Sequence, residues 1–244
     1  MSKITEYQET LRKLPNWDEY LLQESGLPGP RGNIELAQAV ANDGDRELFL
    51  RYLTYTEDIA PVNSPYEFLA FCGALGLGRL LAEGDLGLFQ TLRTLASDPR
   101  WRMREAVAMA LQRLGDANIS LLLDEMQTWC LGTPFEQRAA AAAICEPRLL
   151  QKAEIARQAL NILDQITASI EQCADRRSEG FIALRKGLGY CWSVAVVALP
   201  EDGKRLMQKW LMNPDKDAQW IMQENLKKAR LERMDALWVK RWQA

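Results

Sequence analysis

The chain has 244 residues, 48% of them hydrophobic and 26% charged, with a formal net charge of −3. That is the composition of an ordinary globular protein, and its small negative charge argues against indiscriminate binding to nucleic acid or acidic membranes. Histidine is absent altogether, which removes the commonest general base, the usual serine and cysteine triads and the common zinc ligand set, so neither a metal nor a cofactor is expected.

The start MSKITEYQETLRKLP lacks the apolar stretch of a signal peptide, and Glu6 and Glu9 oppose a mitochondrial presequence; a cytoplasmic location is expected. Strand signals are nearly missing, whereas helix formers dominate almost every segment, so the fold should be all-α. Residues 1–85 show helical segments at about Ile4 to Leu14, Trp17 to Ser25, Ile34 to Ala41, Arg46 to Thr54 and Glu67 to Leu81. Gly44 reads as a helix stop and Asp45 as the next N-cap. The run Gly73-Ala74-Leu75-Gly76-Leu77-Gly78 lacks the G-x-G-x-x-G order, the preceding strand and the following Lys-Ser/Thr pair of a phosphate loop, so close helix packing or a helix break is expected.

From about Leu86 the segments pair off as helix, short turn, helix. Leu86 to Ala96 leads through Ser97-Asp98-Pro99 into Trp101 to Leu114, where Met103, Val107, Ala110, Leu111 and Leu114 form one apolar stripe. Arg102, Glu105, Met109 and Gln112 fall outside that stripe. Gly115-Asp116 reads as the stop. The next pair runs from Ile119 to Leu131 and, after Thr133-Pro134, from Phe135 to Ala142. Phe135 and Arg138 occupy the places of Trp101 and Arg104, and Ile182 with Arg185 gives a weaker copy. Pro214 to Leu226 gives the last copy, anchored at Trp220. The anchors 101, 135, 182 and 220 are spaced by 34, 47 and 38 residues, around the 40-residue period of two-helix repeats. The apolar stretch Leu188 to Leu199 is twelve residues long, short of the roughly 20 needed to span a bilayer, and reads as a buried helix. The five cysteines have no C-x-x-C pair and read as reduced core residues.

Asp98-Pro99, Met103-Arg104, Ala106-Val107, Ala110-Leu111 and Leu114-Gly115-Asp116 resemble the HEAT-repeat family, and the resemblance extends over about residues 86–231. It implies a right-handed α-solenoid of antiparallel helix pairs. The chain would then be one domain, 1–244, with an irregular helical cap over 1–85 and about four HEAT-like pairs over 86–244. In that family the second helices line the concave face. The candidate partner-binding residues are therefore Trp101, Arg102, Arg104, Glu105, Glu136, Arg138, Arg185, Trp220, Glu224, Asn225 and Lys228. Their mixed charge suits a protein or peptide partner, and the leading expectation is a non-catalytic scaffold.

Arg104, Arg138 and Arg185 share a repeat position, where each would bond a turn Asp or helix end of its neighbour, or else form a row of cations for an acidic ligand. Residues 1–90 hold 7 basic and 14 acidic side chains, whereas residues 204–244 hold 10 basic and 5 acidic ones. With the basic run Trp220 to Arg233, read as one helix, this end is the place where nucleic acid would bind. The alternative function follows from a general resemblance to HEAT-like alkylpurine DNA glycosylases, which are metal-free. It implies DNA stacking by Trp101, Trp129 or Trp220, phosphate contacts from Arg138 or Arg185, and a carboxylate such as Asp98 or Asp217.

Overall fold

A computed structural model describes residues 2–243, and among them every regular element is helical. The chain divides into two compact units, Met1–Ala117 and Asn118–Ala244.

The N-terminal unit contains α1 (Lys3–Leu11), α2 (Asp18–Glu24), α3 (Ile34–Asp43), α4 (Arg46–Leu53), α5 (Pro65–Ala82), α6 (Leu88–Leu95) and α7 (Trp101–Ala117). Helix starts follow their caps. Asn33, Asp45 and Ser64 accept backbone N–H groups from α3, α4 and α5, and Pro65 opens α5 where its missing N–H costs nothing. α5 is the core: it packs against α2, α3, α4, α6 and α7, and Phe68 to Leu81 is buried except for Arg79. Its glycines permit this, since a Cβ on Gly76 would overlap the Phe49 ring of α4 and one on Gly78 would overlap the Ala110 carbonyl of α7. The run is thus a site of close helix approach inside one continuous helix.

α3, α5 and α7 lie side by side and run the same way. Gly32, just before α3, lies against Phe68 near the start of α5, and the Ala41 carbonyl near the end of α3 accepts from Arg79 near the end of α5. Likewise Glu67 meets Arg102 at the starts of α5 and α7, and Gly78 meets Ala110 further along. α7 continues through Gly115-Asp116 to Ala117, because Gly115 is buried in an unbroken helix and the following residue, Asn118, caps the next one.

One surface contact ties α2 to α4. Asp18 accepts both Arg51 Nη1 at 2.6 Å and Nη2 at 2.9 Å, together with the Tyr52 hydroxyl at 2.8 Å. The Arg51 hydrogen bonds, aided by Tyr52, hold the Asp18 carboxyl below its ordinary value of 3.8 although burial opposes them. A depressed folded-state pKa contributes stability that is present above the unfolded value and is lost as pH falls through the folded one. Asp18→Asn should therefore lower Tm at pH 7 and narrow the Tm difference between about pH 7 and about pH 3. A thermal series showing the same acid loss in both proteins would contradict this.

The C-terminal unit contains α8 (Ile119–Trp129), α9 (Pro134–Ile144), α10 (Ala153–Ser169), a 3-10 turn (Ile170–Gln172), α11 (Glu179–Ala198), α12 (Pro200–Leu211), α13 (Lys216–Leu226), α14 (Ala229–Met234) and α15 (Ala236–Gln243). A complete capping box between Thr133 and Glu136 starts α9, so Glu136 serves the helix end. α11 is central and packs against α9, α10, α12, α13 and α14. Its 20 residues are long and apolar enough to cross a membrane by length and composition alone, but 56% of its most apolar window is buried against these neighbours, as in a core helix. α9, α11 and α13 also run the same way. Pro134 and Phe135 lie against Gly180 at the starts of α9 and α11, while Arg185, Gly189 and Ser193 meet Asp217, Glu224 and Asn225 in ascending order along α11 and α13. The basic run Trp220 to Arg233 is two helices. α13 stops at Leu226, Lys228 is extended, and α14 starts anew at Ala229. All five cysteines are free, and all but Cys173 are buried.

Candidate functional site

The amphipathic pattern of α7 determines what it presents. Met103, Val107, Ala110, Leu111 and Leu114 have no exposed surface, which turns Trp101, Arg102, Glu105 and Met109 towards a cavity of about 190 Å³. The opposite walls are Phe68 and Phe71 of α5, Ile34 of α3, and Leu27, Pro30, Arg31 and Gly32 of the loop before α3. The two phenylalanine rings stack at 6.4 Å with 5° between their planes. Apart from Arg31, Arg102 and Glu105 the lining is apolar or glycine.

A buried polar cluster holds the loop in place. Arg102 donates to Glu67 Oε2 at 3.1 Å, to the Gly29 carbonyl at 2.7 Å and to Asn63 Oδ1 at 3.2 Å. Asn63, in the left-handed region at φ 68°, accepts Gly29 N–H through its side chain and donates its own backbone N–H to Glu67 Oε2. Glu67 is fully buried and Arg102 nearly so. Beyond the cluster the Arg102 guanidinium lies 4.4 Å from the Trp101 ring centroid, and that indole remains 46% exposed. A cation over an indole face fixes an aromatic at the rim.

Ligand pockets for substrates and cofactors occupy roughly 300–1,000 Å³. At about 190 Å³ this cavity lies below that range and is about the size of one large apolar side chain. Among the described residues no group of three or more Cys, Asp or Glu is placed to hold a metal ion.

The other candidates fall into distinct environments. Arg104 is buried and donates to the Asp98 and Pro99 carbonyls at 2.7 and 2.9 Å, which secures the turn before its own helix. In the C-terminal unit Arg185 lies 2.9 Å from Asp217, close in distance without good hydrogen-bond geometry, and 3.9 Å from the Trp220 ring centroid. Trp220 and Glu224 both lie against Gly189, while the stem of half-buried Arg138 lies against Gly187. Glu224 pairs with Lys227, and half-buried Lys228 sits 5.9 Å from the Tyr190 ring centroid. Arg138, Arg185, Trp220 and Glu224 thus border the glycine-bearing stretch of α11. Asn225 does not reach the surface. Fully buried, it accepts Ser193 N–H and donates to the Leu188 and Ile221 carbonyls, locking α13 to α11.

Three of the residues named for DNA chemistry are engaged within the fold. Trp129 is fully buried with its indole N–H on Glu125, Asp98 is held by Arg100, and Asp217 by Arg176 and Arg185. Sequence reasoning missed Glu67, Asn63, Phe68 and Phe71. The signal available was Glu67, a lone carboxylate at the head of an apolar helix. Compared with protein-family models, curated proteins and solved structures, the chain matches none significantly.

Proposed function

We propose that this chain is a non-catalytic, HEAT-like helical-repeat protein that binds a polypeptide partner, and that the cavity beside α7 takes a large apolar anchor residue of that partner. The observation that carries the reading is the cavity itself: about 190 Å³, lined by apolar residues and rimmed by an exposed indole, on the face of α7 that the core leaves free. Binding energy at protein interfaces concentrates in a few apolar or aromatic residues that fill desolvated pockets, and this cavity has that size and chemistry. Support for the repeat architecture comes from each unit separately. α3, α5 and α7 are co-directional with α4 and α6 between them in sequence, and α9, α11 and α13 are co-directional with α10 and α12 between them. This is what stacked helix pairs produce when each second helix packs on the next.

Selection from a displayed random-peptide library tests the proposal. The enriched peptides are expected to share a large apolar residue, and Met109→Trp, which fills the cavity from its wall, should weaken their binding by roughly 30-fold or more. Peptides that bind Met109→Trp and the parent chain equally would overturn it, as would a selection that enriches nothing.

A further inference from the structure

The C-terminal unit holds a larger cavity, of about 480 Å³, between the segment that follows α9, the C-terminal half of α11, and α14. Its apolar wall includes Leu150, Val194 and Val197, and its polar side is made by Gln151, Arg230 and Arg233. No carboxylate lines it. Glu232, which lies between the two arginines in sequence, is exposed and outside the lining, and Asp235 is already paired with Lys204. Among the described residues neither arginine has an ion-pair partner. Arg230 donates to the Tyr190 hydroxyl and lies 4.6 Å from that ring's centroid, which orients its guanidinium, while Arg233 Nε donates to the Ala229 carbonyl at 3.3 Å. Two arginines on one short helix therefore line a half-apolar groove that contains no carboxylate.

We infer that this groove binds an acidic polypeptide segment in which Asp or Glu alternates with aliphatic residues. Guanidinium forks pair with carboxylates in bidentate geometry, and the aliphatic neighbours of such a carboxylate would lie on Leu150, Val194 and Val197. The volume falls within the range that accommodates several groups at once, unlike the single-residue cavity beside α7. Two arginines with an apolar wall suit one or two carboxylates. Nucleic acid and lipid bilayers are held by many phosphate contacts, more than two arginines supply. The site is in a different unit from the α7 cavity and does not depend on it.

The test uses the full chain and an array of fluorescent heptapeptides alternating Glu or Asp with Leu, Val or Ile, beside counterparts carrying Gln or Asn. The acidic set should bind about tenfold or more tightly than the neutral set, and the difference should shrink as salt rises. Arg233→Gln, an exposed change compatible with folding, should remove most of that preference, Arg233→Lys should restore part of it, and Met109→Trp should leave it intact. Equal binding of acidic and neutral peptides, binding of neither, or an unchanged preference in Arg233→Gln would overturn the inference. So would stronger binding to phosphatidylserine vesicles or to duplex DNA than to every acidic peptide. Loss of the acidic preference in Met109→Trp would place it at the α7 cavity instead and likewise refute this groove.

Discussion

Gly78→Ala is expected to destabilise the N-terminal unit by about 3 kcal/mol, although alanine is the better helix former by roughly 0.5–1 kcal/mol. The two effects have opposite signs, so the experiment decides between them. The added Cβ would overlap the Ala110 carbonyl oxygen and lie 2.6 Å from the Ala110 Cα. Both are backbone atoms, so relief requires α5 and α7 to separate and lose the apolar contact that holds the unit together. A loss of this size is a large part of the roughly 5–15 kcal/mol that stabilises a typical domain. Gly87→Ala is the control, because its Cβ would meet only Asp85 Oδ1 at 3.7 Å; it should stay within about 0.5 kcal/mol of the parent. Urea unfolding followed by circular dichroism reads both. Gly78→Ala at or above parental stability would contradict the close approach of α5 and α7.

Arg102→Met should cost about 3–5 kcal/mol, because it strands the fully buried Glu67 carboxylate without its cation. The variant also removes the hydrogen bonds to the Gly29 carbonyl and Asn63, so the loop that walls the α7 cavity should loosen with it. Glu67→Gln on top of Arg102→Met should recover a substantial part of the loss, since the neutral amide keeps an oxygen for the Asn63 N–H and no buried charge remains. A double-mutant cycle should then show a coupling of about 2 kcal/mol between the two positions. Independent, additive losses would mean that the two side chains do not act as a buried pair, and with that the cavity wall would lack its support.

The helices were legible because their caps and apolar periods are local. Asn33, Asp45, Ser64 and Thr133 cap the helices that the composition around them predicts, and the stripe from Met103 to Leu114 is wholly buried. Gly115 misled because glycine signals a stop only where the chain must turn, and here the turn waits for Asn118. The basic run near the end misled for a related reason: good helix formers on both sides of Lys227-Lys228 hide the break between α13 and α14. Half of the α7 cavity was readable, since Trp101, Arg102, Glu105 and Met109 fall off the core stripe. The other half was not, because Phe68, Phe71 and the Leu27 to Gly32 loop arrive through long-range contacts centred on Asn63 and Glu67. Asn225 shows the converse, a polar residue in the repeat phrase whose amide closes a buried joint that only the α11 to α13 packing creates.

Hydrogen exchange of the full chain, with and without a peptide selected for binding, locates the bound peptide on the chain. Added protection is expected in the first half of α7 around Trp101 to Met109 and in the loop from Leu27 to Gly32, with neither gaining protection when the same peptide is added to Met109→Trp. Protection confined to other segments, or protection at α7 that persists in the filled variant, would contradict binding at the α7 cavity.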